Sequence, residues 1–337
     1  MSHVYITDNG CEIGVRGGRY IVRQYGEDVR VIPMETVESV SIFGNSHLTT
    51  RCIQTLLKSG VPVNFFSSRG NYFGRLESTS HNKVITMKKQ FEKFSDESFV
   101  TCLSQKISMA KIHNQTVILR RYCRSAGFTE EKFKDEFRLI REMKDKAASG
   151  ETRESIMGFE GIAARTYFSV LSQIIEPDFK FYGRNRRPPK DPFNALLSLG
   201  YTLLLYEIIA KLQAEGLTPY YGVLHKPKDG SPALASDMME EWRAVMVDSM
   251  VLSMIQGHEI KIDDFEKDEN WTGIYLTNDA LKKFASKFER KINTQISYLS
   301  YSDEKFSFRN AMAIQCKKLV DSIETSDPQL YRPILLR

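Results

Sequence analysis

The chain has 337 residues, 42% hydrophobic and 26% charged, with a formal net charge of +5. That length fits two domains rather than one small core, and the absence of long low-complexity or like-charged runs excludes extended disorder. The longest uncharged stretch, Pro192 to Tyr206, falls short of the ~20 apolar residues of a membrane span, Met1-Ser2-His3-Val4 has no signal-peptide pattern, and Cys11, Cys52, Cys102, Cys123 and Cys316 lack C-x-x-C spacing. The expectation is a cytoplasmic protein with no membrane, no disulfide framework and no zinc ribbon.

Residues 4–7, 11–15, 20–23, 29–32 and 39–43 alternate or run apolar and are punctuated by Asp8-Asn9-Gly10, Gly17-Gly18 and Gly26-Glu27-Asp28, which predicts short hairpin-like strands. A helix follows over 49–58, where Cys52, Ile53, Leu56 and Leu57 share a face and Gly60 stops it. Strands are expected again at 61–66 and 72–76. From Lys83 the period becomes helical, with candidates near 83–93, 97–125, 129–146, 153–175, 193–215, 234–256 and 304–323. Ser80-His81-Asn82 is the natural junction. The fold class expected is α+β, with a small β-sandwich-like domain over 1–82 and a larger all-α domain over 83–337.

Charge is unevenly spread. Gln105 to Arg124 holds Lys106, Lys111, Arg120, Arg121 and Arg124 and no acid, and Pro177 to Lys190 holds five basic residues against Asp178 alone. Either segment suits a track for phosphates or a solvated face. In the second, Tyr182 to Ser198, prolines stiffen a loop that carries Arg184, Arg186 and Arg187, and Asp191 or Asn194 is placed to cap the helix behind it. A guanidinium fork matches two phosphate oxygens at once; the same loop also suits an intramolecular clamp on acids such as Glu154 or Glu160.

Three short settings place acids and an imidazole among apolar residues: Gly158-Phe159-Glu160-Gly161, Gly222-Val223-Leu224-His225 and Asp237-Met238-Met239-Glu240. That is the composition of a divalent-metal site. Glu160 shares a helical face with Ala164, Tyr167 and Leu171, so it points inward and wants a cation, a metal or hydrogen bonds; pairing with a nearby arginine, or a place at the solvent edge, satisfies it equally. His225 closes an apolar segment at the edge of a polar loop, a place that fits a functional histidine or a merely hydrogen-bonded one. Asp237 and Glu240 lie one turn apart on one helix face, and the helix dipole alone explains Asp237 better than Glu240.

Taken in order, those motifs, together with Ala163-Ala164-Arg165-Thr166-Tyr167-Phe168, Arg186-Arg187-Pro188-Pro189, Asp191 to Ser198 and Glu241-Trp242-Arg243, resemble the CRISPR-associated adaptation endonuclease, the integrase that inserts new spacers. Asn64 to Ser68 and Gly70 to Leu76 are similar to that family's amino-terminal domain. The resemblance implies homodimerisation through the front half and Mn²⁺ or Mg²⁺ held by Glu160, His225 and Glu240, with Asp237 beside the metal. It implies DNA contacts from Tyr167, Arg184, Arg186, Arg187 and Arg243. Expected partners are protospacer and repeat duplexes, branched or single-stranded DNA, and the small second CRISPR-associated adaptation protein. Two rivals stand beside this reading: a DNA-binding scaffold with an unused metal site, and a metal hydrolase of small substrates that would have no use for the basic segments.

Overall fold

The computed structural model describes residues 2–79, 83–185, 188–267, 273–297 and 304–336. The chain folds as two compact units. The first opens with β1 (Ser2–Ile6), β2 (Glu12–Arg16), β3 (Arg19–Gln24), β4 (Glu27–Pro33), β5 (Val37–Phe43), β6 (His47–Leu48), α1 (Thr50–Lys58), β7 (Val63–Phe66) and β8 (Tyr72–Leu76). These make two four-stranded sheets, ordered β1-β5-β7-β8 and β4-β3-β2-β6. In the first, β1 and β7 flank β5 in parallel and β8 closes the edge antiparallel. Alternate residues of both sheets, among them Val4, Ile6, Ile13, Tyr20, Val22, Val40, Ile42 and Val63, form one core with Cys52 and Leu56 of α1, as the period of two along each strand requires. The Thr49 hydroxyl caps α1 by accepting from the Cys52 N–H.

The second unit carries α2 (Val84–Phe94), α3 (Glu97–Ser125), α4 (Lys134–Ala148), α5 (Arg153–Ile174), α6 (Pro192–Ala214), α7 (Ala233–Trp242) and α8 (Ser249–Gln256). The helix expected as one piece over 234–256 is interrupted: Arg243–Asp248 is wound as a π-helix between α7 and α8. Such turns widen the helix and re-aim the residues on either side. By length and composition α6 is apolar enough to cross a membrane, but most of it is buried inside the unit, where Leu196, Leu197, Leu204 and Leu212 are core residues.

Strands β9 (Phe265–Lys267) and β10 (Ile274–Leu276) form a small sheet, followed by α9 (Asn278–Ile292), the short pair β11 (Gln295–Ile296) with β12 (Phe306–Ser307), and α10 (Phe308–Thr325). The expected junction Ser80-His81-Asn82 lies outside the described residues. The helical period from Lys83 onward predicts one continuous second domain over 83–337. Segments 264–266 and 275–289 belong instead to the first unit. The reason is α9, which the sequence reading omitted: Leu281, Phe284 and Phe288 recur at three- and four-residue spacing and are buried, while Lys282 pairs with Asp8 at 2.5 Å and Tyr5 donates to Glu289 at 3.4 Å.

Candidate active site

In the second unit, α3 packs against both α5 and α7. A capping box between Thr152 and Ser155 starts α5 and sets its phase, so that Glu160, two turns in, faces α3. Lys111, midway along α3, reaches both acids: its Nζ donates to Glu160 Oε1 and lies 2.5 Å from Glu240 Oε2. Arg243 Nε stands 3.0 Å from the same Glu240 oxygen, and its guanidinium lies 4.7 Å from the Tyr201 ring centroid. Side-chain exposures of 10%, 16% and 5% for Lys111, Glu160 and Glu240 put the cluster in a low-dielectric setting open mainly on the Glu160 side. Burial alone pushes the Glu240 carboxyl up, but Arg243, Lys111 and His225 outweigh it and hold the group at about 2. Glu240 Oε2 is thus buried between two cations, the Lys111 ammonium and the Arg243 guanidinium.

His225 is placed by a different device. Asp237 is fully buried and accepts three consecutive backbone N–H groups, from Val223 at 2.7 Å, Leu224 at 2.9 Å and His225 at 3.0 Å, while its Oδ1 lies 2.5 Å from His225 Nδ1. One carboxylate thereby fixes both the loop and the ring. The chain must come very close to do this, and Gly222 allows it: a Cβ there would meet Asp237 Oδ2 at 2.5 Å and the Ala233 carbonyl carbon at 2.9 Å. Upstream, Gln90 on α2 donates to Thr218 O and Tyr221 O, and Ser104 on α3 donates to Val223 O. The bond to Asp237 raises the pKa of His225 against the opposing effect of burial, and the charges of Asp237 and Glu240 add to the rise.

Glu160 and Glu240, expected as metal ligands, therefore meet across one ammonium, and His225 lies within electrostatic reach of Glu240 and Lys111. Among the described residues no group of three or more His, Cys, Asp and Glu is arranged to hold a metal ion. Asp237 is a positioning residue, turned wholly to the 223–225 backbone and the His225 ring.

The expected DNA contacts need correction. Tyr167 is fully buried and donates its hydroxyl to Asp248 Oδ2 at 2.9 Å, so it has no surface to offer a backbone phosphate. Arg243 is turned inward to Glu240 and Tyr201. Arg184 donates to Asn194 Oδ1 and stacks over Phe168 and Tyr201, holding its own loop. Arg186 and Arg187 lie outside the described residues. The basic run 105–124 is divided in its use: Lys111 serves the site, Lys106 donates to Pro328 O and Tyr331 O, Arg120 and Arg124 pair with Glu130, and Arg121 is exposed. Asp191, not Asn194, caps α6.

Two parts of the site and its support carry no motif in the sequence. Lys111 belongs to a run that suits a phosphate track or a solvated face, although a cation among Ile107, Ala110 and Asn114 on a helix's buried face is itself a sign of an acidic partner. The stretch after 330, which carries no motif, is inlaid in the unit, with Tyr331, Ile334 and Leu336 buried. There Glu241 accepts from the Tyr331 hydroxyl at 2.6 Å and the Ile334 N–H at 2.8 Å, and Asn114 accepts from the Leu336 N–H at 2.9 Å.

The chain thus joins a sheet-bearing first unit to a helical second unit in which acids and a histidine gather on α5, α7 and the loop before it. The chain belongs to the Cas1 family: the family model described as "CRISPR associated protein Cas1" matches residues 4–290. It is 32% identical to the CRISPR-associated endonuclease Cas1 of Mycobacterium tuberculosis over 97% of this chain and 96% of that protein. It is 31% identical to a Thermus thermophilus CRISPR-associated endonuclease Cas1 over 99% and 97% of the two chains. Among solved structures it is similar to a Cas6-RT-Cas1–Cas2 complex with a TM-score of 0.84 and 26% identity, covering 98% of this chain and 36% of that longer one.

Proposed function

We propose that this protein is a divalent-metal-dependent DNA endonuclease and integrase that joins new spacers to a CRISPR array. The observation that carries the reading is the pair of carboxylates, Glu160 and Glu240, drawn together around one cation beside an imidazole whose Nδ1 is tied to Asp237. Two carboxylates and one imidazole fit Mn²⁺ or Mg²⁺, as hard-cation oxygen donors plus a nitrogen. Such an ion supplies neutralisation of phosphate oxygens and a lowered pKa for an attacking hydroxyl. The chain's own share is to orient. Asp237 accepts a hydrogen bond from the Nδ1–H of His225, which leaves Nε2 as the ligand atom. Arg243, stacked on Tyr201, keeps positive charge on the Glu240 side. The attacking group in this reading is a DNA 3′-hydroxyl, transesterified into a repeat end; with water in its place the same site cleaves branched or single strands.

Further features support the assembly side of the reading. Among the described residues β4 is an edge strand of its sheet, and its Val29 and Val31 side chains are exposed, a surface suited to meeting a second copy. A relative of known structure is described in complex with Cas2, which supports the small second adaptation protein as a partner, with protospacer and repeat DNA as substrates. Arg186 and Arg187 remain the residues proposed to contact the DNA backbone.

His225→Ala is expected to abolish Mn²⁺-dependent strand transfer while gel filtration still finds the dimer, and a chelator is expected to silence the wild type. Strand transfer that survives in the dimeric variant removes the site from the mechanism. A scaffold with an unused site remains a rival because Lys111 already neutralises both acids. It predicts salt-sensitive duplex binding indifferent to Mn²⁺ and chelator alike.

A further inference from the structure

In the proposed chemistry Lys111 has no task, yet its ammonium holds the place between Glu160 and Glu240 that a bound cation would take. With Arg243 it balances the two carboxylates, so the cluster is neutral as it stands. A divalent ion added to that set would leave excess positive charge in a buried pocket, which is costly unless a resident cation withdraws.

The two resident cations are not equally free to go. Arg243 is held by its stacking on Tyr201 and its pairing with Glu240, whereas Lys111 carries a point charge on a flexible four-carbon stem with no aromatic ring stacked against its ammonium among the described residues. Glu160, at 16% exposure against 5% for Glu240, marks the open side towards which the stem can turn.

We propose that Lys111 is an internal counter-ion standing in the divalent-metal position, and that loading of the site displaces its ammonium from between Glu160 and Glu240. This rests on the metal reading above. It gives the metal-free protein a folded, neutral site at the cost of affinity for the ion. Once displaced, the same ammonium is a compact cation at the mouth of the site, suited to a phosphate oxygen of the incoming strand.

The test is Mn²⁺ binding by titration calorimetry without DNA, paired with thermal melting, on wild type, Lys111→Met, Lys111→Gln and Glu240→Gln. Lys111→Gln is the variant that keeps the site folded, because its amide still donates to the carboxylates. Both Lys111 variants are expected to bind Mn²⁺ at least about tenfold more tightly than wild type and to melt lower without the ion. Their melting temperature should also rise more when Mn²⁺ is added. Affinity in both variants equal to or weaker than wild type, with binding lost in Glu240→Gln, overturns the displacement and leaves the metal reading intact. Absence of Mn²⁺ binding in wild type and the Lys111 variants alike overturns the metal reading and this inference with it.

Discussion

Glu240 and Glu241 are consecutive residues of α7, both buried, and their surroundings drive them in opposite directions. Glu240 faces the site, where Arg243, Lys111 and His225 overcome burial and hold it at about 2. Glu241 faces the inlaid tail, where burial pushes it up to about 8 against only neutral donors, the Tyr331 hydroxyl, the Ile334 N–H and Gln315. Asp248, at the end of the π-turn, lies between them: burial raises it to about 6, with the Tyr201 and Tyr167 hydroxyls and the guanidinium groups of Arg184 and Arg243 opposing. Depth is common to all three, so the sign of the neighbours decides which acid is charged. The helix thus presents a permanent anion to the site and a neutral acid to the structure behind it.

The sharpest way to break this contrast is to make the same isosteric change at both positions. Glu240→Gln is expected to cost metal-dependent DNA cleavage about a thousandfold, because it removes the anion and leaves Lys111 a single partner. Glu241→Gln replaces a group that is already mostly neutral at pH 7, so cleavage should stay within about tenfold of wild type, while unfolding in denaturant should lose about 1–3 kcal/mol as the new amide meets the Tyr331 and Ile334 donors. Initial cleavage rates and denaturation midpoints on the two variants measure both. Equal loss of activity in a folded Glu241→Gln would mean that the two faces are not separable.

The elements of this contrast were unevenly legible in the sequence. The helices were readable because their apolar residues recur at helical spacing, and Glu160, His225, Asp237 and Glu240 stood out as polar groups in apolar settings. Lys111 did not, because a lysine within a basic run looks like surface until its helix partner is known, and that partner is 49 residues away. Glu241 was hidden for the same reason: its bonds go to Tyr331 and Ile334, about 90 residues on. The π-turn left no mark, since residues 243–248 keep an apolar pattern whether wound at 3.6 residues per turn or wider. Tyr167 was misassigned because an inward helical face and a DNA-facing one share the same aromatic residue, and only the position of Asp248 separates them. Long-range polar pairing, not local periodicity, is where sequence reasoning ran out.

Asp248 allows the contrast to be sharpened by pH. Its carboxyl is raised in the folded protein from 3.8 to about 6, so the folded state holds the proton more tightly than the unfolded chain, and stability falls as pH rises through that interval. The full effect, about 3 kcal/mol, is present above pH 6 and absent below pH 4. Asp248→Asn cannot titrate. The stability of wild type relative to this variant is therefore expected to decline between about pH 4 and pH 6 and to level off above, in parallel urea titrations. A difference that stays flat across that window would mean that Asp248 keeps its charge, on the side of Glu240 rather than Glu241.

The smallest expected effect tests the fourth acid, Asp237, which meets neither ammonium nor guanidinium and is held by three backbone N–H groups and the His225 ring. Gly222→Ala leaves every one of those groups in the sequence but puts a Cβ 2.5 Å from Asp237 Oδ2 and 2.9 Å from backbone at Ala233. The neighbouring backbone cannot yield as a flexible side chain would, so the 222–225 segment must lift from α7, at a cost of about 2 kcal/mol. Because the Asp237 carboxylate orients His225, the same shift should weaken Mn²⁺ binding by about ten- to a hundredfold, the range for loss of an orienting partner behind a ligand. Among the described residues no hydrogen bond joins the Lys111–Glu160–Glu240 cluster to this loop, so in this reading the variant keeps that cluster and loses only the imidazole. Weakened Mn²⁺ binding with a modest loss of stability fits two independently built halves of one site, and unchanged Mn²⁺ affinity in the destabilised variant would place His225 outside the ligand set.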